Sequence, residues 1–429
     1  MSSQHYITFE YCEFIQVNIR KMTDIHEYED LVLDAVEVVE FKLIRTKDDL
    51  TNDAIGFPPL MAHQIFGESE KIFGYQDLQV QLLYTASSMQ IYLGIKYKRS
   101  VQQLSQGNIK PDDVGRLISK ILPEGCCFLN MDEFLKTIEK EDKFKPYGEK
   151  IMEHTSQCKA EDGSHTERTF EIYYCNYEMP SFLKFFLRLQ TFVLWFVDAA
   201  SCIDVDDPQW SYFVCYEKYR NSTGDYQYAT AGYTTIYEYY AYPQHLRPRI
   251  SQMMVLPPFQ RLGIGTKFLE TVYKFYQPQS NVIDITVEDP SEDFQLLRNF
   301  VDAKLCKDLP TFSRSAVKQS FSKDMIQDAR KKFKINPRQC RIVYEILRLY
   351  HTDIHDEEDY KAFRLTVKGR LNAAYYKQFC DIRKLEKFKV DTQWLRARLP
   401  TLTERIAQLN DEFEEVETQY KHIICKLCM

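Results

Sequence analysis

The chain has 429 residues, with 62 acidic against 55 basic side chains, a net charge of −7 and a pI near 5.8. Such a surface argues against direct DNA binding, which needs Lys and Arg against phosphate, and suits a basic partner. An aromatic content of 14%, with 29 Tyr and 28 Phe, excludes a disordered chain, and the length allows two or three domains.

Residues 1–28 read as an N-terminal extension, too polar for a secretory signal. With twelve irregularly spaced cysteines, that places the chain in the reducing cytoplasm or nucleus. Residues 29–146 read as an α/β N-terminal domain, with apolar strands at 36–43 and 79–85 and turns at Pro58-Pro59 and Pro123-Glu124-Gly125. A core domain follows over 147–288, beginning with a strand at 169–174. Its greasiest run, 182–203, is interrupted by Lys184, Arg188, Gln190 and Asp198. It therefore reads as a buried helix (182–197) followed by a strand, not as a membrane span. Asp198, Asp204, Asp206 and Asp207 cluster there without Lys or Arg. Strands are expected at 211–216 and 226–242, around a polar turn at 220–225; the second is rich in tyrosine, as strands favour.

Residues 250–256 are strand-like and end at Pro257-Pro258, while Phe268, Leu269, Val272, Phe275 and Tyr276 recur at helical spacing. A strand is expected again at 282–287. Beyond it, 289–429 reads as a helical C-terminal region, with Leu296, Leu297, Phe300, Val301 and Leu305 on one face. The basic run 330–334 reads as a solvated helix face, with nuclear import as the alternative. Leu402, Ile406, Leu409, Phe413, Val416, Tyr420 and Ile423 form three heptads behind a Thr401-x-x-Glu404 capping box. This helix either packs back on the body, the reading taken here, or pairs with another chain. The lone Cys425-Lys426-Leu427-Cys428 is not read as a metal site.

Between the 250–256 strand and its helix lies Gln260-Arg261-Leu262-Gly263-Ile264-Gly265. The first N–H groups of a helix have no partner within it and carry partial positive charge, so this turn suits a phosphate. Gly263 and Gly265 would let the phosphate approach the backbone. Two glycines do not make the dinucleotide fingerprint, and Gly265-Thr266-Lys267 does not make a nucleotide-hydrolase loop. The pattern Gln/Arg-x-x-Gly-x-Gly/Ala resembles the acetyl-CoA pyrophosphate loop of the GNAT superfamily of N-acetyltransferases. The flanking segments 251–260 and 284–291 resemble the catalytic subunit of type B histone acetyltransferases. So do 196–201, 203–207, 237–240, 67–75 and 334–347, and the likeness covers roughly residues 30 to 350.

The resemblance implies an α+β mixed-sheet N-acetyltransferase fold, acetyl-CoA as acetyl donor and no metal. It implies transfer to lysines in the N-terminal tail of free, newly made histone H4. It places the general base on Glu288, with Asp289 and Asp198 as supporting carboxylates. The family usually has glutamate at the position of Asp198, which puts a direct role for that shorter side chain in doubt. Asp289 before Pro290 also reads as a helix N-cap. Backbone groups of Met253, Met254 and Val255 would hold the pantetheine arm, and those of Gln260, Arg261, Leu262, Gly263, Ile264 and Gly265 the pyrophosphate. Ser69, Glu70 and Lys71, with Tyr237, Glu238 and Tyr239, match segments that contact the histone tail. The implied partner is a WD-repeat histone-chaperone subunit. The competing reading is a non-catalytic acyl-CoA-liganded histone carrier; a third is acetylation of a small amine or another protein.

Overall fold

The computed structural model describes residues 28–159 and 165–428, so the expected N-terminal extension lies, but for Tyr28, outside the described residues. The chain forms two compact units. One comprises residues 28–208, 214–232 and 256–260; the other comprises 209–213, 233–255 and 261–428. The α+β class holds, with mixed sheets and a helical C-terminal region.

The strand expected at 36–43 starts late. Asp34 accepts a hydrogen bond from the Val36 amide at 2.9 Å and caps one helical turn, Ala35–Val38. Alternating Val and Glu then pass into β2 (Val39–Ile44), after a short β1 (Val32–Asp34). β2 pairs parallel with β5 (Gln79–Thr85), which pairs antiparallel with β6 (Ile91–Lys96), which pairs parallel with β8 (Cys127–Phe128). β3 (Lys71–Phe73) pairs with β1, and β4 (Tyr75–Gln76) with β7 (Arg99–Ser100). Phe41 on β2 lies against Phe57, Tyr84, Phe192, Trp195 and Phe196, with ring centroids 5.4–6.2 Å apart. Fully burying each such side chain is worth about 1.5–3 kcal/mol, so this aromatic knot anchors the N-terminal sheet.

Those last three rings come from the greasy run. It forms a helix (Pro180–Leu189), a 3-10 turn (Gln190–Phe192) and one further helical turn (Val193–Phe196). The strand expected behind it does not form: residues 197–209 are turns and coil. No described helix is long and apolar enough to cross a membrane.

A six-stranded sheet has the order β14-β13-β12-β11-β10-β9. β9 (Glu149–Lys159) and β10 (His165–Asn176) belong to the first unit. β11 (Trp210–Arg220) and β12 (Tyr226–Ala241) pass through both units, and β13 (His245–Val255) and β14 (Thr286–Val287) belong to the second. Only two residues of the expected 282–287 strand are ladder-paired, parallel to Arg249 and Ile250.

Helices of eight or more residues are numbered α1 (Met131–Ile138), α2 (Pro180–Leu189), α3 (Ile264–Tyr276), α4 (Glu292–Cys306), α5 (Lys323–Phe333), α6 (Pro337–Tyr350), α7 (Glu357–Leu371), α8 (Ala373–Lys387) and α9 (Leu402–Cys428). α4 packs on α3, α6 and α9. α9 carries the heptads and opens with the expected box: Glu404 Oε2 accepts from the Thr401 amide at 2.8 Å, and Thr401 Oγ1 from the Glu404 amide at 3.3 Å. It packs back on the helical region through Phe413, Tyr420 and Ile423, while Leu402 and Ile406 near its start remain exposed. The 330–334 run is only partly a solvated face. Lys331 and Lys332 are exposed, but Lys334 is buried and its Nζ donates to the carbonyls of Gln279 and Val282 at 3.0 and 2.9 Å.

Candidate active site

β13 runs on to Val255, past its last ladder pair with β14 at Ile250 and Val287. Met253, Met254 and Val255 thus lie on β13 beyond the end of its parallel neighbour, a fit for a ligand laid along that strand. The Met254 side chain is in the core, so backbone and side chain serve separate ends. Pro257–Phe259 then makes a 3-10 turn, and Gln260 leaves it extended. Arg261 is exposed with φ +63°, and Gly263 has φ +79° at the N-cap of α3, where no side chain caps the helix. A Cβ on Gly263 would meet nothing within 4 Å, so its face is open. The half-buried Leu262 and the buried Ile264 complete the turn. Gly265 differs from expectation. A Cβ there would lie 3.1 Å from Leu297 Cδ2, so its bareness serves the packing of α3 on α4 as well as any ligand. An uncapped helix start behind a left-handed glycine fits a pyrophosphate.

Glu288 follows β14 and is exposed. Its amide donates to the Ile250 carbonyl at 2.9 Å, and its Oε2 accepts from Ser251 Oγ at 2.7 Å. Strand and side chain together hold the carboxylate beside β13. Ser251 was not singled out by sequence reasoning, though it opens one of the resembling segments. Asp289 is exposed with φ +29° and is not the helix cap. Ser291 is, its Oγ accepting from the Phe294 amide at 3.3 Å, and α4 starts at Glu292. The chain is turned left-handed at Asp289 after β14, so Pro290 does not enter the helix.

On β12, Tyr237 and Tyr239 share a face, as residues two apart on a strand must. Their rings lie 4.6 Å apart, with Trp210 4.8 Å from Tyr237 and the Arg249 guanidinium 4.6 Å above Tyr239. Glu238 is on the opposite face from the two tyrosines, accepting from Ser211 Oγ at 2.9 Å and from the Tyr276 hydroxyl at 2.7 Å. The Tyr-Glu-Tyr alternation thus sets the carboxylate on the face away from the rings.

The first unit holds the remaining residues. Asp198 is 74% exposed at its side chain, and its Oδ1 lies 3.2 Å from His63 Nε2. Glu70 Oε1 accepts from the amides of Ala62 and His63 at 2.6 and 2.9 Å, tying down the turn His63–Phe66. Lys71 pairs with Asp34 at 2.8 Å, and this hydrogen bond holds the Asp34 carboxyl below its usual range. Ser69 is exposed. His63, which joins two of the expected site residues, lies four positions before the resembling 67–75 segment and gave no signal of its own.

Residues 31–198 match the model described as Histone acetyl transferase HAT1 N-terminus, and 298–349 match Histone acetyltransferase type B catalytic subunit, C-terminal. The human type B catalytic subunit is 41% identical over 390 residues, covering 91% of this chain and 92% of its own. The chain belongs to the family of type B histone acetyltransferase catalytic subunits. One Dictyostelium discoideum type B subunit is 32% identical over 84% of this chain and 79% of its own. The Cryptococcus neoformans (strain JEC21) type B subunit is 28% identical over 92% and 98%. Membership in the type B family makes the chain a histone acetyltransferase, and the family implies use of acetyl-CoA.

Proposed function

We propose that this histone acetyltransferase transfers acetyl from acetyl-CoA to lysine side chains in the N-terminal tail of free, newly made histone H4. The observation that carries the reading is the Glu288 carboxylate, fixed by Ser251 at 2.7 Å beside the strand that leads into α3. Acetyl-CoA supplies the thioester carbonyl. A free lysine has a pKa of ~10.4, so only about one in a thousand is neutral at pH 7.4. Glu288 takes the amine proton, directly or through one water, as the nitrogen attacks the carbonyl. The C–N bond forms, the C–S bond breaks, and the CoA sulfur leaves as thiolate. Ser251 occupies Oε2, which leaves Oε1 to take the proton. Asp289, next along the chain from Glu288, supplies further negative charge for a cationic tail. Tyr237 and Tyr239, with Trp210, offer flat area to a Gly- and Lys-rich peptide.

The acidic balance of the chain supports a basic substrate rather than direct contact with DNA. A WD-repeat histone-chaperone partner, work in both nucleus and cytoplasm, and no membrane association complete the proposal. The test offers labelled acetyl-CoA with free H4 tail peptide, the same peptide with every lysine changed to arginine, an unrelated basic peptide and assembled nucleosomes, each with and without chaperone. Label on the H4 peptide alone supports the reading. Equal label on the unrelated peptide refutes the substrate, and binding without transfer to any acceptor makes the chain an acyl-CoA-liganded carrier.

A further inference from the structure

The short β14 has two ladder pairs. The chain before it is tied to β13 at Leu246, which donates to the Asn281 carbonyl at 2.9 Å and accepts from the Ile283 amide at 3.0 Å. Buried charge adds to that hold. Asp284, four residues upstream of Glu288, is buried. Its Oδ1 accepts from Arg247 Nε on β13 at 2.7 Å, and its Oδ2 from an Arg330 guanidinium nitrogen on α5 at 3.1 Å. The chain after α5 continues the grip. Lys334 Nζ holds the carbonyls of Gln279 and Val282, and the Ile285 amide donates to the Lys334 carbonyl at 2.8 Å. The Ile285 carbonyl accepts from Asn336 Nδ2 at 3.2 Å and from Arg298 on α4 at 3.1 Å. Three residues past this point the chain presents Glu288.

We propose that residues 330–336, with the Arg247–Asp284–Arg330 bridge at their centre, are a positioning element for Glu288. The inference rests on the reading of Glu288 as base. Removing the Arg330 arm leaves Asp284 buried with one cationic partner and loosens the segment on the side away from β13. Glu288 then samples orientations in which Oε1 misses the amine. Small misplacement of a catalytic group costs rate rather than donor binding, since β13 and α3 are untouched.

The test is a cycle of parent, Arg330→Gln, Glu288→Gln and the double variant, assayed for transfer to the H4 tail peptide, with thermal unfolding of each. The expected result is a roughly tenfold lower kcat for Arg330→Gln at unchanged KM for acetyl-CoA. Arg330→Lys, which keeps the charge opposite Asp284, recovers most of that rate. In the Glu288→Gln background the further change Arg330→Gln has no effect, because its route of action is gone. An undiminished kcat in Arg330→Gln overturns the proposal, and so does a tenfold loss repeated on top of Glu288→Gln. Full activity in Glu288→Gln alone overturns the reading of the base. If Glu288→Gln is impaired and Arg330→Gln is not, only the clasp fails.

Discussion

Changing Tyr420 to phenylalanine tests whether the heptad helix belongs to the body. Its hydroxyl donates to Glu345 Oε2 at 3.0 Å, where both residues are buried. The same carboxylate takes Arg370 Nε at 2.9 Å and Arg341 Nε at 3.1 Å. A hydrogen bond to a charged group contributes ~1.5–3 kcal/mol. Two arginines remain on Glu345 after the change, so the low end applies, about 1.5–2 kcal/mol. At roughly 2–4 °C per kcal/mol, the transition of the helical region falls by about 3–8 °C. Glu345→Gln should cost more, about 3–5 kcal/mol, because it leaves Arg370 and Arg341 facing a neutral amide. Denaturant titrations followed by near-ultraviolet circular dichroism rank the variants. A Tyr420→Phe protein as stable as the parent refutes the reasoning. A midpoint that rises with protein concentration does so too, since it assigns the heptads to a partner copy.

Glu171 is buried among Tyr173, Lys218 and Lys150. Burial opposes its ionisation, but hydrogen bonds from Tyr173 and Lys218 outweigh that and hold its carboxyl down at about 2, against an ordinary 4.5. Because the folded value is depressed, its stabilisation is fully present above pH 4.5 and is lost as pH falls through 2. Glu171→Gln should therefore flatten acid unfolding across that window, and an unchanged acid limb contradicts the assignment. Gly263→Ala should destabilise by about 1 kcal/mol through its left-handed φ and raise the KM for acetyl-CoA several-fold. Gly265→Ala should stay within about 0.5 kcal/mol, since the tip of Leu297 can yield; unfolding curves showing the reverse order would sink this account of the two glycines. Ser251→Ala should lower kcat about tenfold with KM for acetyl-CoA unchanged, and steady-state kinetics showing no loss would remove Ser251 from the site.

The strand, turn and helix around Gly263 were legible because local chemistry and tertiary structure agree there. Pro257-Pro258 ends the strand, and the periodicity of Phe268, Leu269, Val272 and Tyr276 survives as the buried face of α3. Where two local signals compete, sequence alone misjudged. Asp289-Pro290 and Ser291 are both good caps, and the left-handed turn at Asp289 after β14 gave the cap to Ser291. Val36 and Val38 alternate with acids as a strand would, yet the Asp34 cap turns them helical. Least legible were long-range charges. Nothing in Arg330-Lys331-Lys332-Phe333-Lys334 says that its first and last cations face inward to Asp284 and two carbonyls, since their partners are some fifty positions away. Ser251 was hidden the same way, its partner Glu288 being brought to it only by the parallel pairing of β13 with β14.

The central claim is that Glu288 takes the lysine proton. Its most direct test is single-turnover acetyl transfer to the H4 tail peptide by Glu288→Gln, with acetyl-CoA and peptide binding measured separately by calorimetry. The account predicts a rate lower by ~10²-fold or more with both affinities close to the parent's. Transfer at the parent's rate would contradict it.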